Sequence, residues 1–182
     1  LGKIGVFGGS NWTHSRVKEA NRYANDNGLI PFSASSPQYS YVVQNQEPWL
    51  NCVSITGEQG AAAREWYEKE QIPLFCWSSL GGGFLSGKVT RDNTSIWQDY
   101  YMKLAVDCYA SEENFVRLDR CIQIADARGC TPSQIAMAWN MAQPFNLHAL
   151  VGSGSPTEVR ENVEALEIRL TEEELGKLNE II

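Results

Sequence analysis

Histidine is scarce in this sequence, basic residues are in the minority, and apolar runs are short. Each shortage removes a class of function. The only histidines are His14 and His148, and no His-x-x-x-His or Cys-x-x-Cys spacing occurs, so no motif points to a metal site. Lysine and arginine number 15 against 22 aspartates and glutamates, a net charge of −7. That balance argues against nucleic acid or an anionic membrane surface as a partner. It leaves room for a small anion held by backbone N–H groups. No apolar run approaches the ~18 residues of a membrane span, and no secretory signal is seen. The five cysteines (Cys52, Cys76, Cys108, Cys121 and Cys130) are odd in number and widely spaced. They read as reduced thiols and core filler in a cytoplasmic protein, not as a disulfide framework.

What remains is an ordinary globular composition, 43% hydrophobic and 20% charged over 182 residues. That is enough for one domain, 1–182, with a real core. The sequence starts at Leu1 and already reads as a strand from Lys3 to Phe7. The expectation is therefore the later part of something longer, or a trimmed chain.

Strand and helix signals alternate. Ile4 to Phe7 reads as a strand. Thr13 can cap a helix to Asn27, with Gly28 at its C′ position. Leu29 to Ala34 is a second strand, and Gln38 to Gly60 a long connection holding Pro48 and Trp49. Ala61 to Gln71 is helical, and Pro73 to Trp77 is a third strand. Val89 to Ala110 reads as a polar and aromatic insertion, with Trp97, Tyr100, Tyr101 and Tyr109 in it. Ser111 opens a helix whose stripe (Phe115, Leu118, Ile122, Ala125) stops at Gly129. Thr131-Pro132-Ser133-Gln134 is a capping box whose helix ends before Pro144. Leu147 to Val151 is a fourth strand. Ser155-Pro156-Thr157-Glu158 and Thr171-Glu172-Glu173-Glu174 are further capping boxes, the last opening a helix to Ile182. Alternating strands and helices predict an α/β fold with a parallel sheet. An open doubly wound sheet and part of a barrel both fit.

Three apolar runs end in small polar residues: Gly8-Gly9-Ser10-Asn11-Trp12, Trp77-Ser78-Ser79-Leu80-Gly81-Gly82-Gly83, and Gly152-Ser153-Gly154-Ser155-Pro156. Glycine lets backbone approach a ligand, and Trp77 offers a flat face for stacking. Three such ends imply one shared site at the carboxyl edge of the sheet.

These segments resemble the signatures of the aldo-keto reductases. IGVFGGSNW is similar to that family's Gly-x-Ser-Asn-Phe/Trp strand end, and QYSYV to the segment after its next strand. LFCWSSLGGGFLSGK is similar to its Tyr-Ser-Pro-Leu-x-x-Gly-x-Leu-Thr-Gly-Lys block. GCTPSQIAMAW and VGSGSPTEVRENVEAL are similar to its last two signatures. The resemblance runs in the family's order over the whole chain. It implies the second half, strands five to eight, of a TIM-type (β/α)8 barrel. The family's catalytic Asp, Tyr, Lys and His come from strands one to four, which have no counterpart here. The resemblance thus implies a cofactor platform and no catalytic residue.

By the resemblance, Ser10 and Asn11 would hydrogen-bond a nicotinamide carboxamide and Trp77 would stack on its ring. Ser78, Leu80 and Gly82 would line the pyrophosphate. Gly152, Ser153, Glu158, Glu161 and Asn162 would lie around the adenosine. Two departures stand out. Ser36 takes the place of the family's glutamine, with Gln38 two residues later. Gly152 and Glu158 fall where NADP-dependent members carry basic residues. A carboxylate there would repel a 2′-phosphate and accept from a ribose hydroxyl, so the expected cofactor is NADP or NAD, leaning to NAD; Arg160 nearby could compensate.

A half-barrel leaves two raw sheet edges and a half-covered face. The expected remedies are a separate or cleaved N-terminal barrel half, a second copy of the chain, or cover by its own loops. Two functions follow: a carbonyl reductase in its cofactor-binding part, or a non-catalytic nucleotide-binding or scaffold half-barrel. Tyr23, Tyr39, Tyr67 and Tyr109 are candidate proton donors in name only, because none is paired with a lysine at a strand end.

Overall fold

The computed structural model describes residues 2–180. Four short strands, β1 (Gly8–Ser10), β2 (Ala34–Ser36), β3 (Leu74–Cys76) and β4 (Leu147–Ala149), form one sheet in the order β1-β2-β3-β4. Every pairing is parallel. Sequential parallel neighbours require crossovers, which are supplied by α1 (His14–Asp26), α2 (Ala61–Glu70) and the helices between β3 and β4. Those are α3 (Tyr100–Tyr109), α4 (Glu112–Arg128) and α5 (Pro132–Met141), followed after β4 by α6 (Pro156–Glu164) and α7 (Glu172–Asn179). This is an α/β fold with a parallel four-strand sheet, consistent with part of a barrel.

Side chains alternate across the sheet. Ser35, Leu74 and Cys76 are buried on the helix side, where the Ser35 hydroxyl and the Tyr67 hydroxyl of α2 lie 2.7 Å apart. Phe75 and His148 share the opposite face, stacked with ring centroids 4.8 Å apart, and both are exposed. The core lies between the sheet and α4–α5, around Leu74, Phe84, Leu118, Cys121 and Ile135. Burial pushes the Cys76 thiol up to about 12 and raises that of Cys121 further, so neither is a ready nucleophile.

The helix boundaries follow local capping. Thr13, Ser111, Thr131 and Thr171 each accept a backbone N–H of the first turn. Gly28 and Gly129 take the left-handed C′ conformation. The expected box at Ser155 is only half formed. Ser155 caps α6, but the Glu158 carboxylate turns to the Gly154 N–H at 2.6 Å.

The strands differ more. The ladder forms at the carboxyl ends of the apolar runs, missing Ile4–Phe7 altogether and taking in only Ala34 of Leu29–Ala34. A single bond, from the Ser33 N–H to the Phe7 carbonyl at 2.9 Å, precedes it. Val6 and Ile30 are each 71% exposed, so these runs have no neighbour to pack against. Likewise β3 and β4 are shorter than Pro73–Trp77 and Leu147–Val151.

The expected insertion contains α3, capped by Asp99, which accepts from the Tyr101 and Met102 N–H groups. Its buried face is Ala105, Cys108 and Tyr109. The helix expected to reach Ile182 ends at Asn179. Leu1 and the residues from Ile181 on, where that helix was expected to end, lie outside the described residues.

Candidate functional site

At the end of β1 the chain turns sharply. Asn11 adopts φ +55°, a left-handed conformation that asparagine tolerates better than most residues. Its N–H bonds the Ser36 carbonyl at 3.1 Å, and the Ser10 hydroxyl points to the same carbonyl at 3.4 Å. The Asn11 Oδ1 accepts two donors, the Val53 N–H at 3.1 Å and the Trp77 Nε1 at 3.2 Å. Its Nδ2 donates to no group among the described residues. Ser36, which takes the place of the glutamine in the resembled pattern, donates to the Phe75 carbonyl at 2.6 Å. The ends of β1, β2 and β3 are thereby cross-linked through Ser10, Asn11, Ser36 and Trp77.

A feature that the sequence did not reveal sits on this cluster. Trp49, from the long connection, stacks on Trp77 with centroids 4.9 Å apart and planes 29° apart. An open cleft of about 620 Å³ adjoins it, lined by Ser10, Asn11, Arg16, Glu47, Asn51 and Val53 among others.

The turn after β3 carries Ser78, Leu80 and Gly82. Ser78 is left-handed at φ +50°, and Gly81, Gly82 and Gly83 follow at +61°, +61° and +102°. The conformation alone calls for all three glycines, so their number is not by itself a sign of a ligand. A Cβ at Gly81 would meet Val42 Cγ2 at 2.8 Å, and one at Gly82 would touch Ala105 of α3 at 3.6 Å. The turn is held beneath by Asn140, whose Nδ2 donates to the Ser79 carbonyl at 2.8 Å. Nothing in the local pattern around Asn140 signals this role, because its partner lies on a distant element.

Gly152, Ser153 and Gly154, after β4, are exposed. The Asn162 Nδ2 donates to the Ser153 hydroxyl at 3.0 Å, and the Glu161 carbonyl accepts from the buried Gln134 at 3.1 Å. Lys88 approaches Glu158 to 3.7 Å, so a cation stands beside the carboxylate. Arg160 instead turns to the Pro156 carbonyl at 3.4 Å.

The buried tyrosines are committed elsewhere. Tyr39 donates to Gln143 at 3.0 Å, Tyr67 pairs with Ser35, and Tyr109 lies 3.5 Å from Gln44. Burial raises the phenol of each. Among the described residues no group of three His, Cys, Asp or Glu side chains could hold a metal, and no helix is long and apolar enough to cross a membrane.

The sequence model of the aldo/keto reductase family matches residues 1–182. The chain belongs to the aldo/keto reductase family. Proteins similar to the chain include a Schizosaccharomyces pombe protein provisionally named as a voltage-gated potassium channel subunit beta. It is 29% identical over 198 residues, covering 100% of this chain and 51% of its own length. The versiconal hemiacetal acetate reductase of Aspergillus parasiticus is 29% identical, over 72% of this chain and 40% of its own. The chain spans about half the length of the curated relatives it matches. A thermostable aldo-keto reductase crystallised with the inhibitor epalrestat shares the fold. Its TM-score is 0.61 at 22% identity, over 96% of this chain and 47% of the other.

Proposed function

We propose that the chain is the cofactor-binding half of a NAD(P)H-dependent carbonyl reductase, corresponding to strands five to eight of the family barrel. The reading is carried by the cross-linked cluster of Ser10, Asn11 and Trp77 at the carboxyl edge of a parallel sheet. That edge is where (β/α) barrels keep their sites. The residues fit a nicotinamide: Asn11 keeps a free Nδ2 for a carboxamide oxygen, beside the exposed Ser10 hydroxyl. Trp77, its indole fixed by Asn11, would orient the ring. Ser78, Leu80 and Gly82 would line the pyrophosphate. The open backbone at Gly152 and Ser153, with Glu158, Glu161 and Asn162, would take the adenosine. When bound, a reduced nicotinamide supplies hydride to a carbonyl carbon.

Ser36 contributes less than the family's glutamine, because its donor is taken by the Phe75 carbonyl. Cofactor choice is NADP or NAD, leaning to NAD through Glu158, with Lys88 at 3.7 Å moderating the repulsion of a 2′-phosphate. The exposed Phe75–His148 face supports completion by a second four-strand half. In this reading that half brings the Asp, Tyr, Lys and His that move the proton. The second reading is a non-catalytic nucleotide-binding or scaffold half-barrel, possibly a self-paired dimer, in which a second copy would cover the same exposed Phe75–His148 face.

The test is native mass spectrometry with NADPH and NADH titrations, then an aldehyde reduction assay on whatever assembly is found. Cofactor binding with reduction only when a second, different polypeptide is present is the expected result. Cofactor binding by a self-paired species without reduction would favour the second reading. No binding of either nucleotide in any assembly would overturn both nucleotide-binding readings and leave only the scaffold.

A further inference from the structure

Trp49 is a large apolar ring left 52% exposed, and its stacking contact is Trp77. It rides on a loop whose two ends are fastened together. The Gln38 N–H donates to the Val53 carbonyl at 2.8 Å, and the Ile55 N–H returns to the Gln38 carbonyl at 3.0 Å. The Gln38 side chain is fully buried, and its Oε1 accepts from Ser54 at 2.6 Å and from Thr56 at 3.4 Å. Between these fastenings, residues 45–51 are mostly exposed. Asn51, at the loop's far end, holds a left-handed φ of +66°. The chain is held again at Val43 by Asn114 and at Asn45, whose N–H donates to the Cys108 carbonyl at 2.8 Å, so residues 46–51, which carry Trp49, are the part of the loop least tied to the body.

Loop and platform are also coupled through one atom. The Asn11 Oδ1 holds the Val53 N–H at the loop base and the Trp77 Nε1 together. The proposed carboxamide donor, Asn11 Nδ2, is on the same amide.

We propose that Trp49 occupies the place on Trp77 that a nicotinamide ring takes, so that the loop carrying it is a built-in competitor displaced when cofactor binds. This rests on the cofactor reading above. The chemistry is an exchange of like for like: an indole–indole stack is lost and an indole–nicotinamide stack gained. The cofactor wins through its carboxamide and phosphate contacts, which Trp49 cannot make. A molecule with the carboxamide but no phosphates, such as free nicotinamide, would displace the loop less readily. The device thus selects intact dinucleotide and shields the apolar platform in its absence.

The experiment compares the chain in its native assembly with W49A and W49F, titrating NADPH and NADH by calorimetry. Far-UV circular dichroism follows the exciton couplet that stacked indoles produce. The couplet should be present in the parent and lost in W49A. W49A should bind the dinucleotide about two- to tenfold more tightly, the range expected for removing one competing aromatic stack. W49F, which keeps a smaller ring, should fall between. Equal or weaker binding by W49A, with the parent still binding, would overturn this inference and leave the cofactor reading standing. It would mean that Trp49 backs the platform instead of covering it. A parent spectrum without the couplet would overturn it too. Failure of every variant to bind either nucleotide would remove the cofactor reading and this inference with it.

Discussion

The two ends of the candidate site are built on opposite plans. At β1–β3 the side chains are engaged with one another: Ser10 and Asn11 with Ser36, Asn11 with Trp77 and Val53, and Trp77 with Trp49. After β4 the side chains bond within their own loop, Glu158 to Gly154 and Asn162 to Ser153. There the backbone of 152–154 stays exposed. The first end is a preorganised, non-local network, in which one change moves several partners. The second is a helix start with an open loop, which tolerates change and acts mainly through charge and backbone N–H groups. Mutations should therefore cost folding stability at the first end and alter ligand preference at the second.

The largest expected effect is at Asn11. Asn11→Ala leaves the Val53 N–H and the Trp77 Nε1 without their acceptor and puts alanine at φ +55°. A loss of about 2–3 kcal/mol is expected by urea denaturation. Asn11→Asp keeps the acceptor and should recover most of it. A loss below about 0.5 kcal/mol for the alanine variant would mean that the cluster is not a network. Next is Gly81→Ala, between the two ends. Its φ of +61° and the 2.8 Å approach to Val42 predict a loss of about 1–2 kcal/mol. A neutral result would restore ligand approach as the reason for the glycines.

How much of this was legible varies with distance along the chain. Helix starts at Thr13, Ser111, Thr131 and Thr171 could be read because a cap and its N–H lie within three residues. Strand limits could not, because a ladder needs a partner. Apolarity placed strands over Ile4–Phe7 and Leu29–Ala34, while pairing starts at Gly8 and Ala34. The helix α3 was hidden by its polar approach, though the spacing of Met102, Ala105 and Tyr109 carried a helical signal. The residues grouped at β1–β3 were named from the sequence. Their engagement with each other was not, and Trp49 on Trp77 is a contact that no local pattern encodes.

A control away from both ends is the frame pair Arg128–Glu174, which joins α4 to α7. Two Arg128 N–H groups at 2.6 Å hold the Glu174 carboxyl at about 2, below its ordinary 4.5. Because the folded value is the lower one, the pair contributes fully above about pH 4.5, and its contribution fades as the pH falls towards 2. Glu174→Gln should flatten the acid limb of the stability profile without moving either end of the site. An unchanged acid limb would exclude this pair as its source.

The smallest effect on folding is expected at Glu158, and it bears most directly on the open end. Its carboxylate accepts the Gly154 N–H at 2.6 Å and faces Lys88 at 3.7 Å, so the charge is partly balanced and solvated. Glu158→Lys should change stability by no more than about 0.5 kcal/mol, as for surface changes generally. It places a second cation beside Lys88, where a 2′-phosphate would sit in the proposed reading. At the few tenths to 1 kcal/mol of a single exposed charge near a helix start, the preference for NADPH over NADH should rise about two- to fivefold. That gain should shrink in high salt. A preference that does not move would place the ribose away from α6 and leave Glu158 only as the acceptor of the Gly154 N–H. A large loss of stability instead would mean that the end after β4 is as interlocked as the end at β1–β3.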